Sequence, residues 1–421
     1  MSVSYSSISP QLHERYHNKA IQIFVESQNP QLSPFVAQME IKPGNDMEDN
    51  FGNGYVIPVT TNRGGAVSNT FTTSRAKSIG SGTGHAATND KWVVTCTTKH
   101  ATAHWEREAL LSASKSEEKL YDVMKNEIDA RLGKMKHRLA IDLFESGYGR
   151  AATITATPTA TPHTVIVSAS TINRFEVGDD LVAAATVTGA LRSATELTVT
   201  GIDTDTYTLT LSASPLALSW ASGDTLFFLG DHTSATLTAP VGLQGYLPDA
   251  APTATLFGIV RNGIPATAGL RVNCASYDTL QALLQGAQRC TLTGAVPKEA
   301  YCSVQDFMSM ALDKDRVKIM DFEVGKFNIG FTGAKVLAPG GSVNLFPEML
   351  MEQGRYYMGD FKSEHAPFVI HTDDLINVDD FTGSELKDVD NATTYEMRWY
   401  ARLAVAFPGP GKFLVGYGIP A

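Results

Sequence analysis

The chain is poor in the residue patterns that mark chemistry. Its 421 residues hold four cysteines, Cys96, Cys274, Cys290 and Cys302, widely spaced and with no CxxC pair. A zinc site or a disulfide framework needs closer, paired spacing. The expectation is four reduced thiols, mostly buried. There is no excess of positive charge: the formal net charge is -10. A protein that grips a phosphate backbone carries a basic balance, so sequence-specific DNA binding is not expected. No apolar run reaches the roughly 18 residues of a membrane span. The start, MSVSYSSISPQLHERYHNKA, lacks a basic stretch followed by an apolar one, so no secretory signal is expected.

Catalytic signatures are equally scarce. GSGTGH (80–85) is glycine-rich but lacks the Gly-Lys-Ser/Thr and helix start of a phosphate loop. His100 and His104 have a spacing that could hold a metal on a helix, yet no HExxH or third ligand accompanies them. The acids from Asp373 to Asp380 miss the spacing of a calcium loop, and no GxSxG elbow occurs. The expectation is a protein that is not an enzyme, with no cofactor and no metal. The aromatics Trp399, Tyr400 and Phe407 stand at strand spacing and read as core.

What is present is a succession of contrasting segments. Hydrophobic residues make up 43% of the chain, enough for a sizeable core. Residues 1–54 combine a short amphipathic stretch (Leu12, Tyr16, Ala20, Ile23, Phe24) with a Pro-, Asn-, Asp- and Gly-rich tail. Such a segment rarely packs a core alone and reads as an arm lying across something else. YVIPVTT (55–61) and KWVVTCTT (91–98) predict the two strands of a hairpin, with Trp92, Val94 and Cys96 on one face. The thirty or so residues between them, rich in Gly, Ser, Thr and Asn, form an unusually long connection. Neither arm nor hairpin is expected to bury its apolar residues within the chain.

The clearest periodicity runs from His104 to Ser146. Leu120, Met124, Ile128, Leu132, Met135, Leu139 and Leu143 recur at steps of three or four, with charges on the other faces. Ser114 and Glu117 suit a capping box, and Gly147 and Gly149 a stop. A continuous helix from Ser114 to Ser146 would span roughly 50 Å. At Ala151 the texture changes. Residues 151–240 hold 20 threonines and only 10 charged side chains, with no helical period. Alternating stretches such as TVIVSA, TELTVTGI and DTYTLTLSA predict an all-β sandwich or small barrel, its ends near Arg150 and Ala239 close together. RFEVGDDLVAA and ASGDTLFFLG read as two related strand–turn units. After Pro240 the pattern is α+β: a helix over 276–290, a strand then a short helix in YCSVQDFMSMALDKD, and a closing long strand, Pro/Gly corner and terminal strand.

Three stretches give this order a familiar look. YEMRWYARLAVAFPGPGKFLVGYGIP resembles the final strand, Pro corner and terminal strand of tailed-bacteriophage major capsid proteins, whose fold also forms the floor of herpesvirus shells. GLQGYLPDAAPTATLFGIVRNGIPATAGLRVN (242–273) looks like the stretch before the second peripheral helix in one branch of these coats. AVPKEAYCSVQDFMSMALDKD resembles their entry to the axial domain, although of the usual Asn-Pro-x-Asp turn only Asp306 matches. The resemblance covers about 330 residues and leaves out the β module.

The resemblance implies an α+β capsid fold divided as follows: N-terminal arm 1–54, extended hairpin 55–100, spine helix 101–150, inserted β domain 151–240, peripheral domain 241–296, axial domain 297–375, and return strands 376–421. It implies a subunit that self-assembles, as hexamers and pentamers, into an icosahedral shell around double-stranded DNA, without sequence-specific binding and without a membrane. Scaffolding, portal and decoration proteins are the implied further partners, with assembly in the host cytoplasm and a final place in the virion. One relative crosslinks a hairpin lysine to an asparagine; Lys77 and Lys91 stand on this hairpin, and no partner Asn stands out.

Between subunits, the basic residues Arg63, Arg75 and Lys77 of the hairpin tip are candidate contacts for an acidic segment holding Asp373, Asp374, Asp379 and Asp380, the bland reading being two solvated loops. Surface pairs contribute about 0–1 kcal/mol each, so only repetition makes them matter. Other readings are a tail-tube or decoration protein, which the long helix disfavours, and a β-rich adhesin or binding protein suggested by the threonine-rich module. On the capsid reading the module is a surface ornament that the rest of the chain can do without.

Overall fold

The computed structural model describes residues 35, 40–43, 54–62, 67–79, 88–106, 117–233, 236–312, 320–324, 331–338, 341–361, 369–372, 377–378, 387–389, 394–407 and 409–419. Among them the architecture is α+β, with one long helix, several sheets and a separate β module.

The two apolar runs of the first hundred residues pair as an antiparallel hairpin. Gly54–Asn62 runs against Thr88–Thr95, with Ile57 opposite Trp92. The alternation does what period two dictates and puts Trp92 and Val94 on one buried face. That face packs on the chain's own body: the Trp92 ring lies 5.8 Å from Tyr246 and 6.4 Å from Phe257. This corrects the expectation that the hairpin cannot bury its apolar residues intramolecularly. Alternation reveals an apolar face but not what covers it. The described parts of the arm behave alike. Phe35 is buried among Phe144, Tyr301 and Phe361 at 5.2–5.5 Å, and Glu40–Pro43 pairs in parallel with Val369–Thr372. Between the hairpin strands, Phe71–Ile79 forms a helix that the Ser- and Thr-rich sequence did not announce.

The long helix spans Glu117–Asp142, about 39 Å at 1.5 Å per residue. The residues before it differ from the expectation. Thr97–Glu106 is a strand, paired over its whole length with Thr394–Ala406, which ends the idea that His100 and His104 share a helix. Leu132, Met135 and Leu139 are buried on one face, as their spacing requires, but the last turns are covered all round. Lys136, Asp142 and Glu145 are buried as well. Lys136 falls on the apolar face, four residues after Leu132 and three before Leu139. Asp142 meets Lys99 of the preceding strand, and Glu145 is covered by Arg150 and Arg174 of the β module.

The largest sheet has seven strands in the order Leu270–Asn273, Leu414–Tyr417, Arg355–Gly359, Glu299–Ser303, Gly341–Glu348, Phe331–Ala338 and Met320–Val324. The first two run parallel, as do Glu299–Ser303 and Gly341–Glu348. The helix Thr279–Leu292 covers this sheet. Asp278 caps it by accepting a hydrogen bond from the Gln281 N–H at 2.9 Å. Gly286 is needed there because a Cβ would lie 2.3 Å from the Tyr356 hydroxyl, which donates to the Ala282 carbonyl.

The module is a six-stranded antiparallel sheet ordered Arg150–Thr153, Thr225–Phe228, Asp180–Ala184, Leu197–Asp203, Thr208–Leu211 and Thr164–Ile166. Its core is its own, built from residues such as Val165, Phe175, Leu181, Leu209, Trp220 and Leu226. Threonines fill the alternate positions, where β-branched side chains suit a half-wet strand. The chain leaves and re-enters the body at one point: the N–H groups of Thr238 and Ala239 both donate to the Gly147 carbonyl at 3.1 Å. Gly149, at positive φ, lets the two passes touch, since a Cβ there would meet the Asp231 carbonyl at 2.5 Å.

Candidate functional site

Two features stand out: an ionic junction between module and body, and the exposed middle of the hairpin.

The junction forms where the long helix ends. Glu145, just past it, is fully buried. Arg150, opening the first strand of the module, donates from Nε to Glu145 Oε2 at 2.7 Å and from Nη2 to Glu352 Oε2 at 2.8 Å. Arg174 comes from a 3₁₀ turn of the module. It donates from Nη1 to Glu145 Oε1 at 2.6 Å and to the Ala151 carbonyl at 2.9 Å, and from Nη2 to the Leu350 carbonyl at 2.6 Å. Arg355 continues the chain of charges to Asp249 at 2.6 Å and to Glu352 at 3.6 Å. Three arginines face three carboxylates, so the cluster is neutral as a whole. Burial pushes the Glu145 carboxyl up, but Arg150 and Arg174 outweigh it and hold it below the usual range. Burial likewise works against ionised Glu352, yet Arg150 and Arg355 bring it down to about 2. Both acids stay ionised at neutral pH. They hold a position; they are not poised to exchange protons.

Beside the junction lies a polar cleft of about 600 Å³ between strand Thr97–Glu106, the long helix and the module. Its cations face acids. Lys99 bonds Asp142 and lies 3.4 Å from Asp231. Asp179 receives Lys134 at 2.6 Å and Arg138 at 2.8 Å. Burial pushes Asp142 up to about 6, with Lys99 pulling it back. Among the described residues no group of three or more His, Cys, Asp and Glu side chains is arranged to hold a metal, and no helix is long and apolar enough to cross a membrane.

In the hairpin, residues 67–76 are mostly exposed. Val67 is 86% and Phe71 80% exposed, the two most exposed large hydrophobic side chains among the described residues. Arg75 is exposed on the same helix, and Lys77 lies on it two residues on. Arg63, Asp373, Asp374, Asp379 and Asp380 lie outside the described residues, as does GSGTGH. The pairing of the basic with the acidic candidates therefore lies outside the described residues. What sequence reasoning missed is the junction. Its signal was available: Arg150 and Arg174 are rare charges in a nearly uncharged segment, and Glu145 sits in the apolar run IDLFESG.

No family model matches the chain, and no curated protein matches it. Solved structures do. The cyanophage A-1(L) capsid is similar over 92% of this chain and 93% of that one, at 10% identity and a TM-score of 0.45. The holo-SrpI encapsulin complex from Synechococcus elongatus PCC 7942 is similar over 93% and 88%, at 9% identity and 0.43. The capsid of Myoviridae phage XM1 is similar over 90% and 89%, at 8% identity and 0.43.

Proposed function

We propose that the chain is a structural, non-catalytic subunit that self-assembles into the closed icosahedral shell of a tailed phage, as hexamers and pentamers enclosing double-stranded DNA. The observation that carries this reading is the hairpin. Its base is anchored in the body by Trp92 and Val94, while its middle presents Val67 and Phe71 to solvent. An anchored element with an uncovered apolar end fits a contact made to a neighbouring copy. The sequence order of arm, hairpin, long helix and closing Pro-corner strands supports the same reading, as does its division into the segments given above.

Burying a side chain of this size contributes roughly 1.5–3 kcal/mol. One such contact is weak; many around a closed surface hold it. The basic Arg63, Arg75 and Lys77 paired between subunits with Asp373, Asp374, Asp379 and Asp380 would add a smaller electrostatic contribution. The acidic balance of the chain suits a container wall that does not adhere to its contents. Scaffolding, portal and decoration proteins would be its further partners, and the virion its destination.

Sedimentation and negative-stain microscopy of the expressed chain test this. Closed particles of uniform diameter are expected, with Phe71→Asp abolishing them while circular dichroism stays unchanged. Open tubes, a stable monomer, or shells indifferent to Phe71→Asp overturn the reading. Nuclease-protected DNA in particles from infected cells tests the contents separately.

A further inference from the structure

The β module repeats itself. The turn before strand Asp180–Ala184 and the turn before strand Thr225–Phe228 are built alike, 45 positions apart. Each opens with a 3₁₀ turn, Ile172–Arg174 and Pro215–Leu218. Each then has a buried aromatic, Phe175 and Trp220, a glycine at positive φ, Gly178 and Gly223, and a buried aspartate, Asp179 and Asp224. Asp179 accepts from the Glu176 N–H at 2.8 Å, and Asp224 from the Ala221 N–H at 2.9 Å. Gly178 N–H donates to Val199 O, whose own N–H donates to Asp179 O; Gly223 and Asp224 make the same pair of bonds with Ile154.

The correspondence extends to the remaining strands. His163 and Tyr207 are both non-glycine residues at positive φ, 62° and 55°. VSAS at 167–170 answers LSAS at 211–214. Val167 N–H donates to Tyr207 O, and Leu211 N–H to His163 O, each bond the image of the other. The strand pairings obey the same exchange. Thr225 opposite Thr153 mirrors Asp180 opposite Thr198, and Leu226 opposite Ala183 mirrors Phe228 opposite Leu181. The two edge strands of the sheet are joined through Thr155 N–H to Ile166 O at 2.9 Å, which closes a barrel.

The two halves differ in what they touch. In the first, Asp179 also binds Lys134 and Arg138 of the long helix, and Arg174 enters the junction. In the second, Asp224 binds Arg192 of the module itself at 2.7 and 2.9 Å, and Ser219 stands where Arg174 would be. We propose that the module is a tandem duplication of one unit of 44 or 45 residues, closed about a pseudo-twofold axis, and that its first unit is the docking half, with Asp179 turned into a latch on the long helix. The module is then a domain complete in itself, mounted on the body through one of two equivalent faces. The inference stands apart from the shell reading.

Limited proteolysis of the full chain tests it. Cleavage is expected in the two connections, 147–149 and 230–238, leaving the barrel as a resistant fragment identifiable by mass. Removing a charge-assisted bond of this kind raises local opening about tenfold or more. Arg138→Met, which lies outside the barrel, and Asp179→Asn should each accelerate cleavage at the connections by that factor, and Arg192→Met should not. Should Asp179→Asn misfold, Arg138→Met alone decides. A module digested along with the body refutes a self-contained barrel. Equal effects of Arg138→Met and Arg192→Met, or no effect of Arg138→Met, refute the latch.

Discussion

Replacing Arg174 by Met removes one of two side chains, the other being Arg150, that tie the module to both the end of the long helix and the 349–354 loop of the largest sheet. Three hydrogen bonds disappear: to Glu145, to the Ala151 carbonyl and to the Leu350 carbonyl. Methionine fills much of the same space, so the loss is one of charge and donors more than of volume. Removing one partner of a buried pair costs about 3–5 kcal/mol, because the other charge stays behind in a dry site. Glu145 keeps Arg150, which places the expected cost at the lower end, about 3 kcal/mol. The measurement is urea unfolding of the dissociated subunit at pH 7, with the variant compared at equal m-value. The double variant Arg174→Met/Glu145→Gln sharpens it: with the stranded charge gone, part of the loss should return, a coupling of about 1–3 kcal/mol. A single-variant cost under about 1 kcal/mol, or strict additivity in the double, would show that water reaches the junction and that the charges are screened.

Other outcomes follow from the same structure. Deleting 151–240 removes Arg174 with the module, so the remaining body should be unstable unless Glu145→Gln accompanies the deletion; thermal melts of the two deletion variants check it, and a stable body without Glu145→Gln would favour the module as a dispensable ornament. Lys136 is pushed down to about 8 by burial, with Asp129 opposing. Its charge therefore costs stability below pH 8, and the cost fades between about 8 and 10.5; Lys136→Met should stabilise by about 1–3 kcal/mol at pH 7 and flatten that alkaline rise in Tm. Glu352, held at about 2, contributes stability that is present above pH 4.5 and lost as pH falls toward 2, at most about 3 kcal/mol. Acid unfolding of Glu352→Gln should lack this component. Gly286→Ala forces the Tyr356 hydroxyl from the Ala282 carbonyl and should cost about 1–3 kcal/mol in thermal melts.

The sequence carried the local patterns well. The three- and four-residue steps from Leu120 onward located the long helix, and the alternation through Trp92 and Val94 located a hairpin strand. The Thr-rich change at Ala151 falls one residue after the strand Arg150–Thr153 opens. What it could not carry was the identity of the covering surface. Asp142 and Glu145 carry charges that belong in water, yet lie buried because Lys99 meets the first and a segment beginning five residues beyond Glu145 folds back over the second. The same gap left Trp92 without its partners Tyr246 and Phe257, some 150 residues away. The strand Thr97–Glu106 is split in the sequence reading between the hairpin run 91–98 and the periodic stretch from His104, because Thr and Ala alternation is faint; its long partner Thr394–Ala406 is what fixes it. The repeat, glimpsed as two VGD and SGD turns, became legible only once hydrogen bonds could be set side by side.

Because both passes of the polypeptide cross the body at Gly147 and Ala239, the barrel hangs from a single doorway. Extra residues grafted into its exposed turn at Asp203–Thr206 change nothing in the order or spacing of the strands that cross the rest of the subunit. Foreign peptides grafted there are expected to leave the body's own packing as it is.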